Sequence, residues 1–234
     1  MLIAGVEKLT TLDYPGRLAA IVFTAGCNFR CGYCHNPQMV DPERMKETVK
    51  DLIPEEVFFN FLTKRKGMLD GVCITGGEPT LQPDLLEFVL KIKSLGFKVK
   101  IDTNGTMPGV LESLLENKAV DYFAMDIKTS LKRYEEVARF KLVKEEINRS
   151  KEIIQNCGLE YEFRTTVLKE IHPFEVFDEI GEWIKGAEKY YLQNFRSKSV
   201  LEKYFENYNG FSENELAEVR SVMEKYVKFC GIRT

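Results

Sequence analysis

Short apolar runs alternate along this chain with segments whose apolar positions recur at helical spacing. The runs Ala19–Ala25, Gly71–Thr75, Phe97–Asp102, Asp121–Ile127, Leu159–Leu168 and Lys189–Phe195 predict six strands. Between and after them, Pro54–Lys66, Pro83–Leu95, Val110–Asn117, Lys144–Asn156, Phe174–Lys185 and Ser212–Val227 predict helices. The second is the clearest, with apolar Leu85, Leu86, Phe88, Val89, Leu90 and Ile92 between Pro83 and a Gly96 stop. The last opens on Ser212, with Glu215 placed to complete a capping box. The polar stretch Asp41–Leu52 reads as a loop.

Strands alternating with helices imply parallel βαβ units, hence an α/β fold with a parallel sheet. That sheet is either open and doubly wound or curved and barrel-like, and in both cases ligands bind at the carboxyl ends of the strands. The conspicuous motifs fall there. A cysteine run follows the first strand, Gly76-Gly77-Glu78-Pro79 the second, and Thr103-Asn104-Gly105 the third; Asp126 and Lys128 flank the end of the fourth. Four consecutive strand ends therefore converge on one site.

The cysteine run, Cys27-Asn28-Phe29-Arg30-Cys31-Gly32-Tyr33-Cys34, has the spacing C-x3-C-x2-C. Three thiolates on one loop can hold three corners of an iron–sulfur cube and leave the fourth iron open, whereas clusters that only carry electrons have four protein ligands. A zinc site completed by His35 is the rival reading. Cys31-Gly32-Tyr33-Cys34-His35 also fits the spacing of a haem attachment site, but Cys27 has no place in that motif.

The 234 residues carry a net charge of −3, which does not suit a nucleic-acid partner. No stretch is apolar enough to span a bilayer, and the first residues lack the basic start and apolar core of a secretory signal. A cytoplasmic setting is expected, where clustered thiols favour metal work over disulfides. The separated Cys73, Cys157 and Cys230 read as small buried hydrophobes.

The cysteine run and Gly76-Gly77-Glu78-Pro79 together resemble the radical S-adenosylmethionine (SAM) superfamily. Thr11-Leu12-Asp13-Tyr14-Pro15-Gly16-Arg17, Phe23-Thr24-Ala25-Gly26-Cys27 and Cys34-His35-Asn36-Pro37 resemble its glycyl-radical-enzyme activases. Leu9–Pro37 and Tyr191-Leu192-Gln193-Asn194-Phe195 are most similar to those serving anaerobic ribonucleoside-triphosphate reductase. The resemblance implies a single radical SAM domain over 1–234, folded as a partial (βα)6 TIM-like barrel, with its cluster loop at 26–37 and a terminal helix at about 212–227. It implies a 4Fe–4S cluster, SAM and a monovalent cation as cofactors. The activity implied is reductive cleavage of SAM to a 5′-deoxyadenosyl radical, which takes a hydrogen atom from a glycine of a partner enzyme. Reduced flavodoxin or ferredoxin is the implied electron donor.

Residue roles follow by position. Cys27, Cys31 and Cys34 are the implied cluster ligands, with Tyr33 packed over the cluster, and no further catalytic residue is expected. Gly76 and Gly77 would let backbone approach the ligand. Glu78 would accept from the methionine amino group. Asp102 and Thr103 would hold the cation and Asn104 would donate to the ligand. Asp126 would take the ribose hydroxyls, Lys128 the methionine carboxylate, and Arg164 the nucleoside or the carboxylate. A histidine that contacts the nucleoside in pyruvate formate-lyase activating enzyme is matched here by Arg196, with Gln193 and Phe195 as weaker candidates. His35 reads as a loop-stabilising hydrogen bonder and His172 as an ordinary loop residue. Asp13 reads as part of a proline turn rather than a contact for an incoming glycyl loop. Two other functions compete: a superfamily enzyme acting on a small molecule, and a non-catalytic zinc or electron-transfer protein.

Overall fold

Strands pair in chain order in one sheet, and the first alone runs antiparallel to its neighbour. The computed structural model describes residues 1–141 and 144–233; Leu142, Val143 and Thr234, which the 1–234 domain span includes, lie outside the described residues. Eight strands are described: β1 (Ile3–Thr10), β2 (Ala19–Thr24), β3 (Gly71–Gly76), β4 (Lys98–Thr103), β5 (Tyr122–Asp126), β6 (Glu160–Val167), β7 (Tyr190–Asn194) and β8 (Cys230–Arg233). The six expected strands are β2–β7, each end displaced by no more than one residue. Helices α1 (Pro37–Val40), α2 (Pro42–Thr48) and α3 (Glu55–Thr63) lead from β2 to β3. Then α4 (Leu85–Ser94), α5 (Pro108–Glu116), α6 (Tyr134–Ala138) with α7 (Lys144–Asn156), α8 (Glu175–Trp183) and α9 (Glu213–Met223) make the successive crossovers. The two end strands do not pair with each other, so the barrel is partial and open.

Besides the short helices α1 and α6, three elements depart from the expectation. β1 carries Glu7 and Lys8 on an edge where only Ile3 and Thr10 are buried, so its composition hides it. β8 is four residues long and adds a seventh parallel strand. Helix α2 forms in the stretch read as a loop, although none of its residues is buried. Local capping makes it: the Asp41 carboxylate accepts from the backbone N–H groups of Glu43 (2.9 Å) and Arg44 (3.0 Å), with Pro42 in the first turn. The Ser212–Glu215 capping box on α9 is present as expected.

Strand alternation sorts side chains onto two faces. Val72, Ile74, Val99, Ile101, Phe123, Met125, Phe163 and Val167 face the helices in the main apolar core. The opposite face lines the lumen and is charged: Lys100 and Asp102 on β4, Asp126 on β5, Glu162 and Arg164 on β6. Lys98 and Lys100 share an alternating strand, yet Lys98 is exposed and Lys100 is 1% exposed. Tyr14 closes the amino ends of the strands. It is buried edge-on against Tyr122 at 5.9 Å, beside Ala19. Asp13 is in the same turn, accepting from Thr10 Oγ1 at 2.5 Å. That turn joins antiparallel β1 to the start of β2, at the end of the barrel opposite the cysteines.

Candidate active site

The carboxyl ends of β2–β6 surround an open pocket of about 810 Å³ including its mouth. Each residue expected there by position lines it: Cys27, Cys31, Tyr33, Cys34, Gly76, Gly77, Glu78, Asp102, Thr103, Asn104, Asp126, Lys128 and Arg164. Phe29, His35, Asn36, Val40, Thr75 and Thr166 join them. Gln193, Phe195 and Arg196 are not among its lining residues.

The cysteine loop is fixed at several points. Gly26 N–H donates to Met39 O (2.8 Å) and Gln82 Nε2 to Ala25 O (2.8 Å). Cys34 N–H donates to Cys31 O (3.0 Å), and the Phe29 and Asn36 N–H groups point at the sulfurs of Cys27 and Cys34, both at 3.4 Å. On the far side Glu202 and Leu201 N–H donate to Gly32 O and Cys34 O. Phe205 and Glu202 fill the space where a Gly32 side chain would stand.

The donor set fits a multi-iron cluster. The thiols of Cys27, Cys31 and Cys34 are free and face one pocket. Yet, among the described residues, no three His, Cys, Asp or Glu side chains gather closely enough to share a single metal ion. A mononuclear zinc needs its sulfurs within about 2.3 Å of one centre. His35, the fourth ligand of the zinc reading, instead stacks on Phe195 (5.4 Å) and bonds Arg196 O through Nε2 (2.6 Å). Among the described residues the buried Tyr33 hydroxyl has no hydrogen-bond partner, and its ring lies edge-on to Phe205. Burial pushes the Cys27 thiol up to about 12 and Cys31 up to about 11, and Lys128 pulls both down. Ligation must therefore displace protons, and metal uptake is favoured by higher pH.

The glycines of the second motif line the pocket and also allow a close backbone approach within the protein. A Cβ on Gly77 would stand 2.0 Å from Gly26 O, and one on Gly76 would stand 2.4 Å from Thr24 N. Gly76 also has φ +110°, which favours glycine. Gly76 admits the end of β2 and Gly77 the start of the cysteine loop. Gly77 N–H donates to Thr24 O (2.8 Å) and Glu78 N–H to Gly26 O (2.7 Å), so two strand ends are laced together.

Glu78 is equally engaged within the protein. Its Oε1 accepts from Thr80 N (3.1 Å), Thr80 Oγ1 (2.5 Å) and Thr103 Oγ1 (2.8 Å), and its Oε2 accepts from Asn104 N (2.6 Å). Burial raises its pKa and these donors oppose the rise. Asn104 Nδ2 in turn donates to Asn28 Oδ1 (2.8 Å) and lies 3.9 Å from Cys27 Sγ. Glu78 thus joins the third strand end to the second and, through Asn104, to the cysteine loop.

Five buried or half-buried charges form an alternating row across the lumen. Lys100 Nζ contacts Asp102 Oδ1, and Asp102 Oδ2 meets Arg164 Nη2 at 2.9 Å. Arg164 Nε meets Asp126 Oδ1 at 2.5 Å, and Asp126 Oδ2 meets Lys128 Nζ at 2.9 Å. Burial would raise the Asp126 carboxyl, but Arg164 and Lys128 outweigh it and hold it well below the usual carboxylate range. Three cations face two carboxylates in this row, and the buried Glu78 carboxylate on the same pocket wall balances the third.

Two residues in this arrangement were not legible as functional. Lys100 lies within the third expected strand, and nothing in the sequence assigns it a role. His172, read as an ordinary loop residue, is fully buried; its Nε2 bonds Lys128 O at 2.8 Å, and Leu168 N–H points at its Nδ1 at 3.3 Å. Burial drives its pKa down to about 4. The neutral ring therefore holds the backbone of Lys128. Cys73 also departs from the apolar reading, with its sulfur 3.7 Å from Asp102 Oδ1 and 3.8 Å from Lys100 Nζ.

The sequence profile described as the Radical SAM superfamily matches residues 21–197. A Methanocaldococcus jannaschii protein, named provisionally as a glycyl-radical enzyme activating enzyme, is 37% identical over 240 residues, covering all of this chain and 96% of that one. The pyruvate formate-lyase-activating enzyme of Clostridium pasteurianum is 38% identical over 128 residues, so the match spans about half of each chain (54% and 52%). Among solved structures, Streptococcus suis SuiB bound to the precursor peptide SuiA superposes with a TM-score of 0.69 at 15% identity, over 92% of this chain and 48% of that one. At that identity the likeness is one of fold.

Proposed function

The chain belongs to the radical SAM superfamily, and on that premise we propose that it is a glycyl-radical-enzyme activase whose single domain spans 1–234. The observation that carries the reading is the meeting of three free thiols with the Lys128 and Arg164 cations in a pocket walled by five strand ends. The full-length similarity to a relative named as an activating enzyme supports the same class.

The superfamily implies a 4Fe–4S cluster and SAM, which when bound supply one-electron cleavage of the sulfonium to a 5′-deoxyadenosyl radical. This chain's residues do the rest. Cys27, Cys31 and Cys34 hold the cluster and leave one iron without a protein ligand. Lys128 and Arg164 meet the methionine carboxylate, with Asp126 fixing both cations in place and presenting its free lone pairs to the ribose. Asn104 donates to the ligand from the third strand end. Tyr33 and Phe29 keep water from the cluster, and the Tyr33 hydroxyl is the polar group on that wall with no hydrogen-bond partner among the described residues. Glu78 orders the loops through its four accepted hydrogen bonds. The open barrel leaves access for a glycine-bearing loop of another protein.

For the partner, the similarity over Leu9–Pro37 and Tyr191–Phe195 favours anaerobic ribonucleoside-triphosphate reductase, and the C. pasteurianum relative makes a pyruvate formate-lyase type enzyme the second reading. Reduced flavodoxin or ferredoxin would supply the electron, in a cytoplasm that keeps these thiols reduced. Among the described residues no helix is long and apolar enough to cross a membrane.

The test is anaerobic reconstitution, reduction, and incubation with SAM and each purified partner. The expected result is 5′-deoxyadenosine together with a glycyl radical on one partner, lost in Cys27→Ala, Cys31→Ala and Cys34→Ala. Turnover of a small molecule with no radical on either protein would overturn the activase reading.

A further inference from the structure

The residues expected to hold a monovalent cation are already committed elsewhere. Asp102 is 7% exposed, and each of its oxygens faces a protein cation: Lys100 Nζ at Oδ1 and Arg164 Nη2 at Oδ2, the latter at 2.9 Å. Thr103 Oγ1 donates to Glu78 Oε1 at 2.8 Å and accepts from Gly105 N–H at 3.0 Å. A metal ion placed against Asp102 would compete with both of its partners and would be repelled by them. The residues present do not fit the group.

Lys100 is built into its position. It rises from the lumen face of β4, its backbone in register with Cys73 on one side and Tyr122 on the other. Its ammonium lies 5.8 Å from the Tyr122 ring centroid and 3.8 Å from Cys73 Sγ, in addition to its contact with Asp102. A lysine is rarely this buried unless paired. The pairing sets the charge of the row: Lys100 and Arg164 share Asp102, Arg164 and Lys128 share Asp126, and without Lys100 the row would hold two cations against two carboxylates.

We propose that the Lys100 ammonium takes the place of the monovalent cation, neutralising Asp102 from beneath, so that this site binds SAM without Na⁺ or K⁺. Lys100 is a positioning residue that acts through Asp102 and Arg164. The proposal rests on the SAM-binding reading given above, and its test separates the two.

SAM affinity of the reconstituted protein is measured by equilibrium dialysis in KCl, NaCl and choline chloride at equal ionic strength. Wild type is expected to bind within about twofold in all three, since only general screening is left to differ. Lys100→Ala opens space beside Asp102; it is expected to bind SAM more than about tenfold more weakly in choline and to recover in K⁺. In apoprotein, K⁺ over choline should raise the melting temperature of Lys100→Ala by about 2–4 °C and leave wild type unmoved. A wild type that binds SAM in K⁺ or Na⁺ and loses it in choline overturns the proposal, as does a Lys100→Ala protein indifferent to the cation. Absence of SAM binding in every salt would instead overturn the functional reading, and the apoprotein melts would then decide the role of Lys100. If Lys100→Ala does not fold, the wild-type comparison of salts decides it.

Discussion

Replacing Gly77 with Ala tests how the two strand ends are held together. The new Cβ would lie 2.0 Å from Gly26 O, 2.6 Å from Gly26 C and 3.1 Å from Gly26 N, all of them backbone atoms. Ordinary contact begins near 3.4 Å, so the two segments must part by about 1.4 Å. Parting breaks the bonds from Gly77 N–H to Thr24 O and from Glu78 N–H to Gly26 O, now 2.8 and 2.7 Å. Each broken bond costs about 1–3 kcal/mol through the buried groups it leaves unpaired, giving roughly 2–6 kcal/mol for the two. For a chain of this size that is a fall of roughly 5–20 °C in melting temperature. Cys27 follows Gly26 directly, so iron uptake falls too. The assays are thermal unfolding of the apoprotein by circular dichroism and iron per chain after anaerobic reconstitution. Gly109→Ala is the control. It lies in α5 with nothing within 4 Å of the added carbon, and is expected to stabilise by about 0.5–1 kcal/mol. A Gly77→Ala protein that melts within about 2 °C of wild type and loads iron normally would refute this account of the glycines.

Other consequences can be checked alongside. Lys128→Met removes a charge-assisted partner for the ligand carboxylate and should weaken SAM binding by roughly 10–100-fold in equilibrium dialysis, while iron content stays at the wild-type level. His172 has a folded pKa of about 4 against an ordinary 6.5, so the unfolded chain binds the proton more readily. Its contribution is intact above pH 6.5 and is lost as pH falls toward 4, about 3 kcal/mol in all. In denaturant titrations across that window His172→Gln should flatten the acid loss relative to wild type; an unchanged slope would show that the ring is not buried neutral. Cys73→Ala should cost about 1–2 kcal/mol in urea unfolding and leave iron content unchanged. Loss of iron with the fold intact would make Cys73 a ligand.

The fold was legible where apolar runs are long. β2–β7 are buried on the helix-facing side, and the apolar run marks each to within a residue. Elements with no apolar face were not legible: α2 rests on the Asp41 cap, and β1 carries charges along an exposed edge. The site was legible because motifs at successive strand ends must converge in a parallel sheet. Their partners were not. An alternating strand such as Lys98-Val99-Lys100-Ile101 looks half-solvated, and only the curvature of the sheet shows that its second face is interior, turning Lys100 and Glu162 from surface charges into buried ones. Pairings between distant segments, such as Gly77 on Gly26 or His172 on the carbonyl of Lys128, leave no local trace in sequence.

The claim at the centre of this account is a cluster held by three cysteines with one iron left for SAM. Electron paramagnetic resonance of the reduced, reconstituted protein, recorded with and without SAM, tests it most directly. The account predicts a 4Fe–4S signal whose shape changes on adding SAM and which is absent from Cys27→Ala, Cys31→Ala and Cys34→Ala. A signal indifferent to SAM, or a protein that takes up zinc and no iron, would contradict it.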